Sequence, residues 1–84
     1  MFNFSSIKCI DGRYMSVNIA KEYPEVTFLD LKVAICENYQ IPINQQRLIL
    51  CGHIVLDNET LKEKKVLGQT CLHLVLCEPQ DMQA

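Results

Sequence analysis

No tryptophan occurs in the 84-residue chain, and nowhere do basic residues gather into a stripe interleaved with aromatics. Eight lysines and arginines stand against ten acidic residues, a net charge of −2. So weak and negative a balance cannot hold a phosphate backbone or an anionic lipid surface by long-range attraction. Neither nucleic acid nor a membrane is therefore expected as a partner. Apolar runs are short as well, far below the roughly twenty residues that cross a bilayer. The opening stretch MFNFSSIKCIDGRYM lacks the basic start and apolar segment of a secretory signal, and none is expected.

The cysteines lack pairing. Cys9, Cys36, Cys51, Cys71 and Cys77 form an odd set with no close CxxC. Disulfide frameworks use even counts, and zinc sites use tighter spacing. The expectation is free thiols, several of them small core residues, in a reducing cytoplasm or nucleus. A Gly-rich phosphate loop is also missing, and no cofactor or metal is expected.

What the chain does have is 49% apolar and 21% charged residues, the balance of one ordinary globular domain. SIKCI (6–10) is β-prone, and Asp11-Gly12 favours a tight hairpin turn. YMSVNIA (14–20) then alternates, with Met15, Val17 and Ile19 on one face. Pro24 breaks the pattern. Thr27 with Asp30 resembles a capping box, and Phe28, Leu31 and Ile35 share one side of a helix predicted over 28–39. Ile41-Pro42 ends it, because the residue before proline is pushed out of the helical region. QQRLILC (45–51) is the next strand, with Gly52 a break and HIVL a short extension. Residues 57–69 are polar and irregular, anchored by Leu61 and Val66. TCLHLVL (70–76) is the last strand, and CEPQDMQA reads as a polar tail or the start of a linker.

The predicted order is β-β-α-β-(short β)-β. One helix can cover only one face of such a sheet, so the other face meets water. Leu48 and Leu50 alternate with Ile49, and Leu72, Leu74 and Leu76 alternate with His73 and Val75. The leucine faces are the core candidates. Arg47, Ile49, His73 and Val75 are left on the open face, with Ile10 beside the hairpin turn in reach of it. An exposed apolar patch of this kind is a candidate interaction site, whereas single outward aliphatics are common on strands and by themselves need no partner.

The blocks IP..QQRLI..G (41–52), L.D..TL (56–61) and TCLHLVL (70–76) closely resemble ubiquitin, with matching spacing between them. IKCIDGRYMSVNI and TFLDLKVAI resemble its first hairpin and helix start more loosely. About three extra residues fall around 20–26. The resemblance covers about residues 5 to 77. It implies an α+β, β-grasp (ubiquitin-like) fold, with a mixed four- to five-stranded sheet and one helix packed across one face. The domain is expected over 1–77, with 78–84 as polar tail.

By the same resemblance, Ile10, Ile49, His73 and Val75 fall on the recognition patch, and Arg47 and Gly52 on residues flanking it. The implied partners are ubiquitin-binding helices, ubiquitin-associated domains and proteasome subunits. Shuttle proteins of the ubiquilin type carry such a domain. The departures matter equally. Where conjugated modifiers end in Gly-Gly, this chain has Glu78 and Pro79, so a non-conjugated domain is expected. His53 and Gly68 replace lysines used for chain building, while Lys8 and Lys32 match lysines and read as solvated charges. Ser6 replaces an aromatic of a second, smaller surface.

Enzymatic chemistry finds no support. Cys71 and His73 lie about 7 Å apart along a strand, with no carboxylate, oxyanion loop or cleft to activate them. Glu59 and Glu63 belong to a polar loop. No catalytic residue is assigned. The expectation is a monomeric, non-conjugated, cytoplasmic or nuclear interaction domain in the ubiquitin–proteasome pathway. The alternative is an intramolecular regulatory or scaffolding β-grasp domain of a larger enzyme or complex, using the 20–27 loop or the back of the helix. A redox module built on the thiols is a third reading.

Overall fold

A computed structural model describes residues 2–67 and 69–77. Two strands, one helix and three strands follow one another along the chain: β1 (Phe2–Cys9), β2 (Tyr14–Ile19), α1 (Phe28–Tyr39), β3 (Gln46–Leu50), β4 (His53–Ile54) and β5 (Leu72–Leu76). Short 3-10 turns at Tyr23–Glu25 and Ile43–Gln45 precede the helix and β3. The predicted element order holds. The expected tail, 78–84, and the residues Gly68, Glu78 and Pro79 lie outside the described residues.

The strands form one sheet in the order β2-β1-β5-β3-β4. β1 and β5 run parallel at its centre, and the other pairs are antiparallel. The two halves of the chain therefore join through their first and last strands, an outcome that local sequence patterns do not dictate. α1 closes one face. Phe28, Leu31, Ala34 and Ile35 form a single buried cluster with Phe4, Ile7, Val17, Leu48, Leu72 and Leu74 from the sheet. Fully burying a side chain of this size contributes about 1.5–3 kcal/mol.

Local chemistry sets the helix ends. Thr27 Oγ1 accepts the Asp30 N–H at 3.2 Å, and Asp30 Oδ2 accepts the Thr27 N–H at 3.0 Å. Aspartate thus completes the reciprocal cap in place of the usual glutamate. At the other end Gln40 turns left-handed (φ 57°) and donates its N–H to Cys36 O, one residue before the Ile41-Pro42 stop.

Four expectations need correction. β1 starts at Phe2, not at residue 6. Phe4 pairs with Val17 and Ile7 with Met15, so β1 carries one extra residue at Ser5-Ser6. That bulge turns both Phe4 and Ile7 inward although they are an odd number of residues apart. Phe2 meets Tyr23, ring centroids 5.5 Å apart, and the Tyr23 hydroxyl donates to Val66 O at 2.7 Å. Aromatic packing thereby holds the extra residues before the helix.

Leu76 is 51% exposed rather than core. It lies on the inward face opposite the buried Gln46, but it faces the last residue of α1, and an open depression lined by Ile10, Met15, Tyr39 and Ile41 leaves it uncovered. Lys32 is buried and paired with Asp57, not a solvated charge. The five cysteines are free thiols, but none is fully buried, and Cys51 is exposed. Cys9, Cys51, Cys71 and Cys77 fall at strand ends and turns, and Cys36 on a partly exposed side of α1.

Candidate interaction surface

Strand alternation sends every second side chain of the sheet away from α1. Register then decides which of these meet. Ile49 pairs with His73, and Arg47 pairs with Val75, across the β3–β5 ladder. Opposed side chains in an antiparallel pair stand about 4.5–5.5 Å apart at Cβ. The four open-face residues read from the sequence are thus brought together as two adjacent cross-strand pairs. Ile49, Val75 and Arg47 are half-buried among neighbours, while His73 is exposed.

Ile10 and Gly52 sit at the rim. Ile10 follows the Cys9–Leu74 pair of the parallel ladder, so it continues toward the level of Val75, and it is 82% exposed. The turn below it is fixed by Gly12 at φ +91° and by Asp11, whose carboxylate accepts from the Arg13 backbone and guanidinium. Those two hydrogen bonds hold the Asp11 carboxyl below its ordinary value. Gly52 belongs to the turn between β3 and β4. Cys51 and Gly52 both have positive φ, 52° and 83°, the conformation that suits a two-residue hairpin. An L side chain at residue 52 would be strained there even though space is open around it.

The sequence reading missed two residues of this face. The tight turn pairs Leu50 with His53 and Ile49 with Ile54, which sets Ile54 beside Ile49, 62% exposed. Lys8 pairs with His73 on one side and Tyr14 on the other, and its ammonium stands 6.0 Å from the Tyr14 ring centroid. Treating Cys51-Gly52 as a two-residue turn would have exposed the first. The second needed the parallel β1–β5 register.

Arg47 is partly committed, since one guanidinium nitrogen donates to the carbonyls of Asn44 and Gln46 at 3.3 and 3.0 Å. The remaining donors of the five-donor fork point to no described carboxylate. Among the described residues, no cluster of His, Cys, Asp and Glu could hold a metal ion, and no helix is long and apolar enough to cross a membrane.

The model of the Ubiquitin family matches residues 6–79. The chain belongs to the ubiquitin family. Its mixed sheet with one helix across one face is the family's β-grasp. Among curated relatives, the ubiquitin-family chain is 37% identical over 68 residues to ubiquitin domain-containing protein DSK2 of Saccharomyces cerevisiae, covering 81% of this chain and 17% of that protein. It is 31% identical over 70 residues to ubiquitin domain-containing protein DSK2a of Arabidopsis thaliana, covering 83% and 12%. A ubiquilin of Dictyostelium discoideum is 40% identical over 50 residues, covering 60% and 10%. The chain therefore spans less than a fifth of the length of these relatives.

Proposed function

We propose that this domain is a non-conjugated ubiquitin mimic that docks ubiquitin receptors through the outward sheet face. The observation that carries the reading is the juxtaposition of the Ile49–His73 and Arg47–Val75 pairs on the face that α1 leaves open. Ile49 and Val75 supply apolar contact, Ile10 extends it at the hairpin rim, and Arg47 and His73 give polar edges. Gly52 keeps the β3–β4 turn low at the border. The partners are ubiquitin-binding helices, ubiquitin-associated domains or proteasome subunits, and the domain acts as a binding module rather than a catalyst. The kinship to longer ubiquitin domain-containing proteins supports a recruiting role within a larger chain. A patch of this size gives reversible binding, on the order of micromolar or weaker.

The test is an isotope-labelled NMR titration with a ubiquitin-interacting helix, on wild type and Ile49→Ala. Shifts centred on Ile10, Ile49, His73 and Val75, and lost in the variant, are expected. A face unmoved at millimolar peptide would overturn the reading.

One observation favours the scaffolding alternative. An open depression lies between Ile19–Lys21 and the Asp30–Glu37 side of α1, on the opposite side from the outward face. Shifts confined to its lining, with the Ile49 face unchanged, would support that alternative.

A further inference from the structure

We propose that Cys51 and Cys71 form a reversible disulfide, made by hydrogen peroxide and undone by a thiol of the glutathione class. The bond ties the β3–β4 turn to the start of β5 and weakens docking on the outward face. The disulfide stands on strand register, and its effect on docking rests on the reading of that face as a docking surface.

Register singles out this pair. β3 and β5 keep one alignment along their ladder: Gln46 opposite Leu76, Arg47 opposite Val75, Leu48 opposite Leu74 and Ile49 opposite His73. The Cys77 N–H donates to Gln45 O at 2.7 Å and carries the same alignment one step further at the other end. Two steps beyond Ile49–His73, it sets Cys51 against Cys71. Gln45–Cys77, Arg47–Val75 and Ile49–His73 are alternate pairs of one ladder, and residues 51 and 71 take the next such position. In a continuing ladder a hydrogen-bonded pair of this kind stands about 5.5 Å apart at Cα. Disulfides span about 4.4–6.8 Å.

The ladder stops at Ile49–His73, because Cys51 turns left-handed (φ 52°) into the hairpin. Closing the bond asks the tip of that hairpin to tilt toward β5. The tip is lightly held, since β4 is only two residues long and both are exposed. The other thiols are excluded by place. Cys9 pairs with Leu74, three residues along β5 from Cys71, Cys36 lies on α1, and Cys77 stands at the far end of β5 beside Gln45.

Cys51 is exposed and Cys71 partly covered, an accessible thiol to meet the oxidant and a shielded one to resolve it. The Cys51 thiolate attacks one peroxide oxygen, the O–O bond breaks, and a sulfenic acid forms as hydroxide leaves. The Cys71 thiolate then attacks that sulfur, the S–O bond breaks, and a second hydroxide leaves. The two thiol protons turn both hydroxides into water, so two thiols and one peroxide give one disulfide and two waters. Tilting the tip moves Gly52 and Ile54, which border Ile49.

The experiment treats the reduced chain with stoichiometric hydrogen peroxide, blocks the remaining thiols and digests with trypsin without reductant. Cys51 falls in the 48–62 peptide, and Cys71 shares 66–84 with Cys77, so fragmentation of the linked peptides assigns the partner. A monomer lighter by two hydrogens is expected, with Cys51 joined to Cys71 and both thiols restored by glutathione. Cys51→Ser and Cys71→Ser should each abolish the link, and Cys77→Ser should leave it. Linkage to Cys77, a dimer through Cys51, or sulfinic acid at Cys51 without a link would overturn the pairing. NMR titration with a ubiquitin-interacting helix then compares the two forms, and oxidation is expected to weaken binding about fivefold, with peroxide-treated Cys71→Ala/Cys51→Ala binding as the reduced chain does. Equal binding by both forms would overturn the switch and leave the disulfide. If the reduced chain binds no helix at millimolar concentration, the docking reading falls, while the peptide map still decides the disulfide.

Discussion

Lys32 Nζ lies 2.6 Å from Asp57 Oδ1, with the lysine side chain only 9% exposed and the aspartate 50% exposed. The pair ties the middle of α1 to the segment after β4. Two neighbouring hydrogen bonds reinforce this seam: the Leu29 N–H donates to Asp57 O at 3.1 Å, and Gln46 Nε2 donates to Lys32 O at 3.0 Å. A charge sits under the sheet's cover because its partner reaches solvent and keeps part of its hydration.

The two partners should respond unequally to mutation. Asp57→Ala leaves a buried ammonium without its counter-charge and should cost about 1–3 kcal/mol. Lys32→Met removes the charge but keeps the apolar stem, and should stay within about 1 kcal/mol of wild type. Denaturant melts of both variants check this. Equal losses would mean that the ion pair itself is net stabilising and that leaving the ammonium unpaired adds no penalty of its own.

The helix cap should give an acid-sensitive contribution to stability. Burial pushes the Asp30 carboxyl up, but hydrogen bonds from the Thr27 backbone and from Lys21 outweigh it and hold the group below its ordinary value. With the folded value depressed, the stabilisation is fully present above the unfolded value of about 3.9 and is lost as pH falls through the folded one. The stability gap between wild type and Asp30→Asn should be constant near neutrality and close below about pH 4. Thr27→Ala should cost about 1 kcal/mol at neutral pH. Melts at stepped pH supply the measurement, and a gap that persists in strong acid would contradict the mechanism.

Thiol reactivity should rank by exposure and charge. Burial raises the pKa of the Cys9 thiol, and the Asp11 carboxylate adds to this, with Arg13 offsetting part of it. Cys51 is the exposed thiol of the set. Iodoacetamide followed by mass spectrometry should label Cys51 before Cys9. Asp11→Asn should speed Cys9, because it removes the carboxylate while the amide oxygen can still accept the Arg13 N–H. Unchanged Cys9 labelling in that variant would leave burial as the whole cause.

Several elements were legible because they are written in short-range chemistry. Thr27 and Asp30 announce the helix start, Ile41-Pro42 its end, and the alternation of Met15, Val17 and Ile19 the buried side of β2. Leu61 and Val66 stand out as apolar anchors in a polar loop, and both are fully buried. Phe2 and Phe4 were passed over because the bulge at Ser5-Ser6 breaks the alternation that would have marked them. Leu76 was misplaced for a different reason. Alternation states which way a side chain leaves the strand, and it carries no information on whether the helix extends far enough to cover it.

By itself, the sequence determined the elements, their order and the inward or outward sense of most strand residues, since these follow from backbone sterics and a period of two or 3.6 residues. Tertiary structure alone decided which outward residues became neighbours. The β3–β5 register set Ile49 against His73 and Arg47 against Val75, the parallel β1–β5 pairing brought Lys8 to His73, and the turn at Cys51-Gly52 brought Ile54 to Ile49. Those pairings depend on hydrogen bonds between segments far apart in the chain, whose alignment is fixed only when the common core under α1 is packed.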